Sequence, residues 1–519
     1  MRTSTPESLV RIIARDGQRL ASQNRAHGAS TLWPVLHPAL RKPKPKSAMH
    51  WLSLMFVWLT VFSSCFVATE PAPVDALMLG LIVLLPVVGL VRIDVPHLGY
   101  LFLWLAICVC QLIACTLAQD VATATLHTVV SLYLCAASFV LAAFVARNPE
   151  AHTRLVMRAY IAAALVAALM GLVGYFDLVP EARQLFTMHD RATGAFKDPN
   201  VYAPFLVPPM LVLAHEIVTR RLLGIVLPAI AMAIIGLALL LSFSRGAWVN
   251  LAVGGLVYAY LAFVTARTDR QRVKLLTLCT AGLLAAVALI AAALEIDAVA
   301  KLFDLRASLD QSYDHGPEGR FGGQEKAMRL ILEHPFGLGS LQFGGILHPE
   351  QPHNVYLSMA LNAGWLGGLL YIVLVVLTLV LGLRSILRRQ WPSRLLLAVY
   401  AAFVGLVVEG FVIDTDHWRH FYVVTGLMWG LMLEPAAVRR RMPRLRTDAA
   451  SAALPLVIPP ALGLPARLAL DRAVAQARTP RRAPRIRGRA IQLQLVAAAR
   501  PARRRRREPS RPPRIVSSH

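Results

Sequence analysis

The sequence predicts an all-α, polytopic membrane protein of about twelve transmembrane helices with one larger extracytoplasmic loop. Three observations predict it. Of the 519 residues, 56% are hydrophobic and only 16% charged, more apolar surface than a soluble domain of that length buries. The apolar residues gather in runs of about twenty, the length that crosses a ~30 Å hydrocarbon core at ~1.5 Å per residue. The Lys and Arg residues favour every second loop between those runs, as the positive-inside rule requires.

The runs lie near 49–68, 76–92, 98–118, 122–146, 156–176, 200–218, 222–243, 245–266, 274–294, 355–383, 394–413 and 418–434. The run at 76–92 is short and holds Pro86, so a re-entrant segment is the alternative reading there. Residues 1–48 form a basic cytoplasmic segment that ends in Arg41-Lys42-Pro43-Lys44-Pro45-Lys46 and lacks a signal peptide, which makes the first run an uncleaved helix. Threading from that side puts Arg147 with Arg154, Arg220-Arg221, Arg267 with Arg270, Arg272 and Lys274, Arg384 with Arg388, Arg389 and Arg394, and Arg439-Arg440-Arg441 in cytoplasmic loops. The short outside loops at 69–75 and 119–120 hold no Lys or Arg. One helix more or fewer would reverse every later assignment.

The domain reading follows. Residues 49–434 are the transmembrane domain, and 295–354 is a periplasmic loop within it, with a short amphipathic helix at 324–334 closed by Pro335, Gly337 and Gly339. Residues 435–519 are an Arg/Pro-rich cytoplasmic tail, expected to be disordered, whose five arginines at 503–507 suit anionic lipid headgroups. The net charge of +25 sits mostly in the two terminal segments and the cytoplasmic loops, so it reports topology and membrane lipid, with no nucleic-acid partner. The six cysteines fall inside apolar runs without zinc-ligand or CxxC spacing and read as small core residues.

Four polar clusters share the outside face. Arg191-Ala-Thr-Gly-Ala-Phe-Lys197-Asp198-Pro199-Asn200 leads into the sixth run. Ser242-Phe-Ser244-Arg245-Gly246 joins the seventh and eighth runs with almost no loop, which holds Arg245 at the membrane boundary. An arginine there snorkels or has an anionic partner, and its planar fork suits phosphate. Gly316-Pro-Glu-Gly-Arg320-Phe-Gly-Gly-Gln324-Glu325 sets Arg320 ahead of the amphipathic helix, where free amides also favour an anion. Gln351-Pro352-His353-Asn354-Val355-Tyr356-Leu357 places His353 where the loop re-enters the membrane, a candidate general base for a sugar hydroxyl. Each cluster alone also has a bland explanation, as a solvated or snorkelling face.

Glu409, inside the eleventh run, is an intramembrane carboxylate and a candidate counter-charge to Arg245 or Arg320. Asp414, Asp416, His417 and His420 read as residues that solvate a short turn, and no metal site is assigned. The chain holds no GxxxxGK[ST] phosphate loop, so nothing in it points to ATP.

The order Arg191, Gly194, Asp198-Pro199-Asn200, Ser244-Arg245-Gly246, Arg320, His334-Pro335-Phe336-Gly337-Leu338-Gly339 and His353-Asn354-Val355-Tyr356-Leu357 with Gly364 and Gly367 resembles the O-antigen ligase and polymerase superfamily over about 50–435. The resemblance implies an enzyme of the bacterial inner membrane with its active site facing the periplasm. It would move an undecaprenyl-pyrophosphate-linked glycan to an acceptor hydroxyl on lipid A–core or a growing polysaccharide, without metal or other cofactor. By position, Arg245 and Arg320 match the family's pyrophosphate-contacting arginines and His353 its proposed catalytic histidine. Arg191 and Lys197 match its polar loop. Ligase and polymerase share these motifs and differ in acceptor. A transporter also fits the helix count but predicts charge near the bilayer midplane and inverted repeats. Convergence of Arg245, Arg320 and His353 on one outward cavity is the expectation that separates transfer from transport.

Overall fold

The computed structural model describes residues 48–307, 316–388 and 393–432, all within one compact unit. The N-terminal segment before residue 48 and the tail 435–519 lie outside the described residues, as do Arg389 and the arginines at 439–441. The elements in chain order are α1 (Ala48–Phe62, extended by a 3-10 turn, Ser63–Cys65), α2 (Pro73–Val87), α3 (Val95–Cys115), α4 (Val121–Arg147), α5 (Pro149–Tyr175), α6 (Ala182–Phe186), β1 (Thr187–Met188), β2 (Arg191–Ala192), α7 (Pro199–Thr219), a 3-10 turn (Leu222–Gly224), α8 (Val226–Leu240), α9 (Arg245–Thr265), α10 (Asp269–Leu294), α11 (Asp297–Ala307), α12 (Arg320–Glu333), α13 (Val355–Leu387), α14 (Leu396–Glu409) and α15 (Arg419–Met432).

Each of the twelve apolar runs coincides with a helix. Eight of the described helices are long and apolar enough to cross a membrane, and α2, α8 and α14 are shorter apolar helices. The protein is mostly helical, relieved by a two-residue antiparallel pairing of β1 with β2. Pro86 sits in the last turn of α2; it has no amide to donate to the Ile82 carbonyl, and the helix ends one residue later.

The loops divide between two ends. At one end Val67 donates its amide to Ala195, Ala192 to Leu241, Asp120 to the Gln342 side chain, and His353 to Asp414. These bonds knit together the segments assigned to the outside. At the other end Arg92 donates its amide to Ala143, Arg394 to Glu150, and Lys274 Nζ to the carbonyls of Val218 and Arg220. The segments around Arg92, Arg220, Lys274 and Arg394 therefore sit at the end away from the cleft, as alternating helices demand.

The core is aromatic where α3, α4, α13 and α15 meet. Tyr100 stacks on Trp429 at 4.6 Å between ring centres and its hydroxyl meets Ser138 Oγ at 2.6 Å, while Trp429 donates to Thr378 Oγ1 at 2.9 Å. Small residues let α9 approach α7 and α14: a Cβ on Gly254 would lie 2.9 Å from Leu211 and 3.1 Å from the Ala401 carbonyl. Arg419 clasps Asp75 through Nε and Nη2, both at 2.7 Å, and ties α15 to α2. Exposed apolar side chains on α3, α10 and α13, such as Phe102, Leu283 and Val376, form a surface suited to lipid. The cysteine reading holds for Cys65, Cys108, Cys115 and Cys135, which are buried. Cys279 is exposed, because α10 buries almost none of its surface against the bundle.

Candidate active site

Two helices begin with an arginine at the same opening. The turn Ser242-Phe243-Ser244 reverses the chain between α8 and α9, and Phe243 takes φ +51°, a left-handed value a bulky residue adopts only under constraint. Arg245 is then the first residue of α9. Arg320 is the first residue of α12, four positions earlier than the expected helix start. Gly322 and Gly323 hid that first turn, since glycine is a weak helix former. The structure shows their use: a Cβ at Gly322 would sit 2.5 Å from the Pro317 carbonyl, and one at Gly323 would sit 2.8 Å from the His348 ring.

Arg191, Asp198, Asn200, Phe243, Ser244, Arg245, Gly246, Arg320, Glu350, Gln351, His353 and Glu409 line one cleft of about 470 Å³, with Val412 and Ile413. Helices α7, α9, α12 and α13 all begin at its wall. Neither N-cap residue, Ser244 of α9 or Gly319 of α12, caps its helix through a side chain, and the positive helix ends add to the arginines. Such a wall suits an anion.

His353 is held from three directions. Its backbone is left-handed, φ +51°. Its amide and that of Asn354 donate to Asp414 at 3.0 and 3.1 Å, and Ser358 Oγ donates to the same carboxylate. Its Nε2 lies 2.9 Å from Glu350 Oε2. A carboxylate on Nε2 favours the tautomer with its proton there, which leaves Nδ1 as the basic nitrogen. Asn354 caps α13 by accepting from Tyr356 and Leu357.

The His334–Gly339 stretch fixes this geometry from behind. Gly364 breaks α13 with φ +69°, and a Cβ there would lie 2.5 Å from the Pro335 carbonyl. Leu338 donates its amide to Leu361 at 2.7 Å and Trp365 to Pro335 at 2.9 Å. The end of α12 is thereby locked into the kink of α13, which joins the element bearing Arg320 to the element preceded by His353.

The remaining expected residues divide. Arg191 is buried at the cleft and donates through Nε to the Ser242 carbonyl and through Nη2 to Asn200 Oδ1, both at 2.7 Å, so it fastens the 191–200 loop to the turn before Arg245. Glu409, 1% exposed, accepts from Asn250 at 2.6 Å and lies against the first turn of α9, where a Cβ on Gly246 would be 3.0 Å from its Oε1. Lys197 does not line the cleft: its Nζ is 3.1 Å from Glu70.

Three functional candidates escaped the sequence reading. Glu350 stands three residues before His353, a spacing whose meaning depends on the turn between them. Asp414 looked like a solvating residue, yet burial and the charge of Asp416 push its carboxyl above the usual range. His127 lies in an apolar run and comes together with Asp416 and His417, their donor atoms within 4.8 Å of one another. Burial and the neighbouring His127 push the His417 imidazole down to about 4, so it is neutral at pH 7.

Residues 230–372 match the O-antigen ligase family. The match supports the superfamily resemblance drawn from the motifs. No curated protein matches the chain. The O-antigen ligase segment runs from α8 into α13 and takes in Arg245, Arg320, the His334–Gly339 stretch, His353 and the Gly364 kink; Arg191, Lys197, Glu409 and Asp414 fall outside it. The match suggests a glycosyltransferase-like membrane enzyme, of a class that acts on polysaccharide and lipid-linked substrates in general.

Proposed function

We propose that this protein is a metal-independent, inverting glycosyltransferase of the bacterial inner membrane. It crosses the membrane about twelve times and takes its glycan from undecaprenyl pyrophosphate on the periplasmic side. The observation that carries the reading is the convergence of Arg245, Arg320 and His353 on one cleft, beside Arg191 and the starts of four helices. Charge gathered at one end of the bundle favours transfer over transport, which calls for ionisable groups near the midplane.

In the proposed reaction the donor pyrophosphate lies between Arg245 and Arg320, whose fixed cations stabilise the charge that grows on it as the C1–O bond breaks. The acceptor hydroxyl loses its proton to His353 Nδ1 as its oxygen bonds to C1 from the opposite face, which inverts that carbon. Glu350 stabilises the resulting imidazolium through Nε2. Undecaprenyl pyrophosphate departs into the lipid. Arg191 holds the turn that carries Arg245, and Glu409, bound to Asn250, packs against the first turn of α9 and steadies it.

The test is deletion of the gene followed by glycan analysis. Loss of long glycan from lipid A–core, with full-length chains retained on the carrier lipid, identifies a ligase. Accumulation of single repeats identifies a polymerase. Unchanged glycan of both kinds contradicts the reading.

A further inference from the structure

We propose that His127, Asp416 and His417 form a site for one divalent first-row transition metal ion, with zinc the best-matched ion, which fastens α4 to the 410–418 loop.

The donors come from separate elements. His127 stands in the second turn of α4, and Asp416 and His417 are adjacent in the loop between α14 and α15. Two imidazole nitrogens and one carboxylate oxygen within 4.8 Å of one another are a ligand set that zinc and its neighbours accept, with a fourth position left for water. Tetrahedral zinc with bonds of ~2.1 Å spaces its donors by about 3.4 Å, so the set closes by roughly one ångström on loading.

The surroundings hold two of the donors and leave the third adaptable. Tyr422 Oη donates to the Asp416 carbonyl at 2.7 Å and the Trp418 amide to Thr415 at 3.1 Å, which fixes the loop. Ser131 Oγ bonds Nε2 of His417 at 2.9 Å, an outer partner of the kind that orients a ligating ring and leaves Nδ1 to the ion. The His127 side chain is 9% exposed; its Nε2 lies 3.6 Å from Asp416, and its Nδ1 is buried with no hydrogen-bond partner among the described residues. A buried polar nitrogen left so is unfavourable, and turning the ring forfeits no hydrogen bond at that atom. The two imidazoles stack at 3.6 Å between centres and 12° between planes. Metal bonds use the lone pair in each ring plane, so the ion requires the His127 ring to turn edge-on. Asp416 also borders an internal cavity of about 10 Å³ beside Ser131 and Gln111, close to the space of one water.

None of the three residues lines the transfer cleft, so the ion is structural. Asp414, two residues before Asp416, holds the His353 amide, and a pinned loop preserves that pose.

The test uses the full-length protein in detergent, stripped with EDTA and titrated with zinc alone. The wild type is expected to retain about one zinc per chain through gel filtration and to melt higher with zinc than without it. His127→Gln, Asp416→Asn and His417→Gln should each weaken zinc binding about ten- to a hundredfold, while His353→Ala leaves it unchanged. Cobalt loaded into the wild type should give the visible absorption of a four-coordinate site, a readout that needs no variant to fold. Failure of the wild type to bind zinc, or equal binding by the three variants, overturns the proposal. Binding is measured without any reaction, so its failure leaves the transfer reading intact and a failed transfer reading leaves the site intact.

Discussion

Asp414 accepts the backbone amide of His353 at 3.0 Å, from a position 61 residues further along the chain. The pose of the candidate base is thus set by the loop that follows α14, with the Asn354 amide bound to the same carboxylate at 3.1 Å. Asp414→Asn keeps the size of the side chain and one acceptor but loses the charge that strengthens both bonds. Bonds to a charged group contribute about 1.5–3 kcal/mol, so the transfer rate should fall about ten- to a hundredfold with donor affinity little changed. Steady-state kinetics with purified protein checks it, and a loss confined to KM would contradict the positioning role.

The same carboxyl predicts a pH dependence. Its folded value is raised above the unfolded one by burial and by Asp416. A raised acid contributes stability that is fully present below the unfolded value and is lost as pH rises through the folded one. The melting temperature of the wild type minus that of Asp414→Asn should therefore decrease as pH climbs from the usual carboxylate range toward neutrality. A difference that grows over that range would show that the carboxyl is not raised.

His353 combines a basic ring with a left-handed backbone, φ +51°. Alanine there incurs a backbone cost of ~1–2 kcal/mol, whereas asparagine tolerates that conformation and carries no basic nitrogen. His353→Asn should keep wild-type protein levels and melting behaviour and lose about two to four orders of magnitude in transfer rate. Glu350→Gln should lose about tenfold, since it removes only the stabilisation of the imidazolium. Wild-type turnover by His353→Asn would remove the base assignment.

Gly364 tests the brace behind the site. Its φ of +69° and the 2.5 Å approach of the Pro335 carbonyl leave no room for a side chain. Gly364→Ala should cost about 3 kcal/mol or more and reduce folded protein, read as membrane-inserted yield and thermal midpoint. Gly255, which faces open space and has helical backbone, should accept alanine with no loss.

Much of this was legible in the sequence, for a physical reason. Helices in lipid must be long and apolar, and loop charge sorts by side, so all twelve runs coincide with helices and their loops divide between two ends. That sorting also put Arg245, Arg320 and His353 on one face before any contact was known. Pairings between distant segments were not legible. Lys197 matched the polar loop as well as Arg191 did, and only the fold sends it to Glu70 while Arg191 turns to Ser242 and Asn200. His127 carries no local signal inside its apolar run, because its partners are supplied by a loop on the far side of the sequence. The first turn of α12 was missed because Gly322 and Gly323 read as loop, although close approach to Pro317 and His348 is what requires them.

The most direct test of the cleft as a transfer site is reconstitution with an undecaprenyl-pyrophosphate-linked oligosaccharide labelled in its sugar, and lipid A–core as acceptor. The wild type should move label to the acceptor and release undecaprenyl pyrophosphate in equal amount, with inverted configuration at C1. Arg245→Lys and Arg320→Lys should each slow that transfer about ten- to a hundredfold, because an ammonium does not replace the guanidinium fork, and His353→Asn should slow it by about two to four orders of magnitude. Undiminished transfer by all three variants would contradict the account.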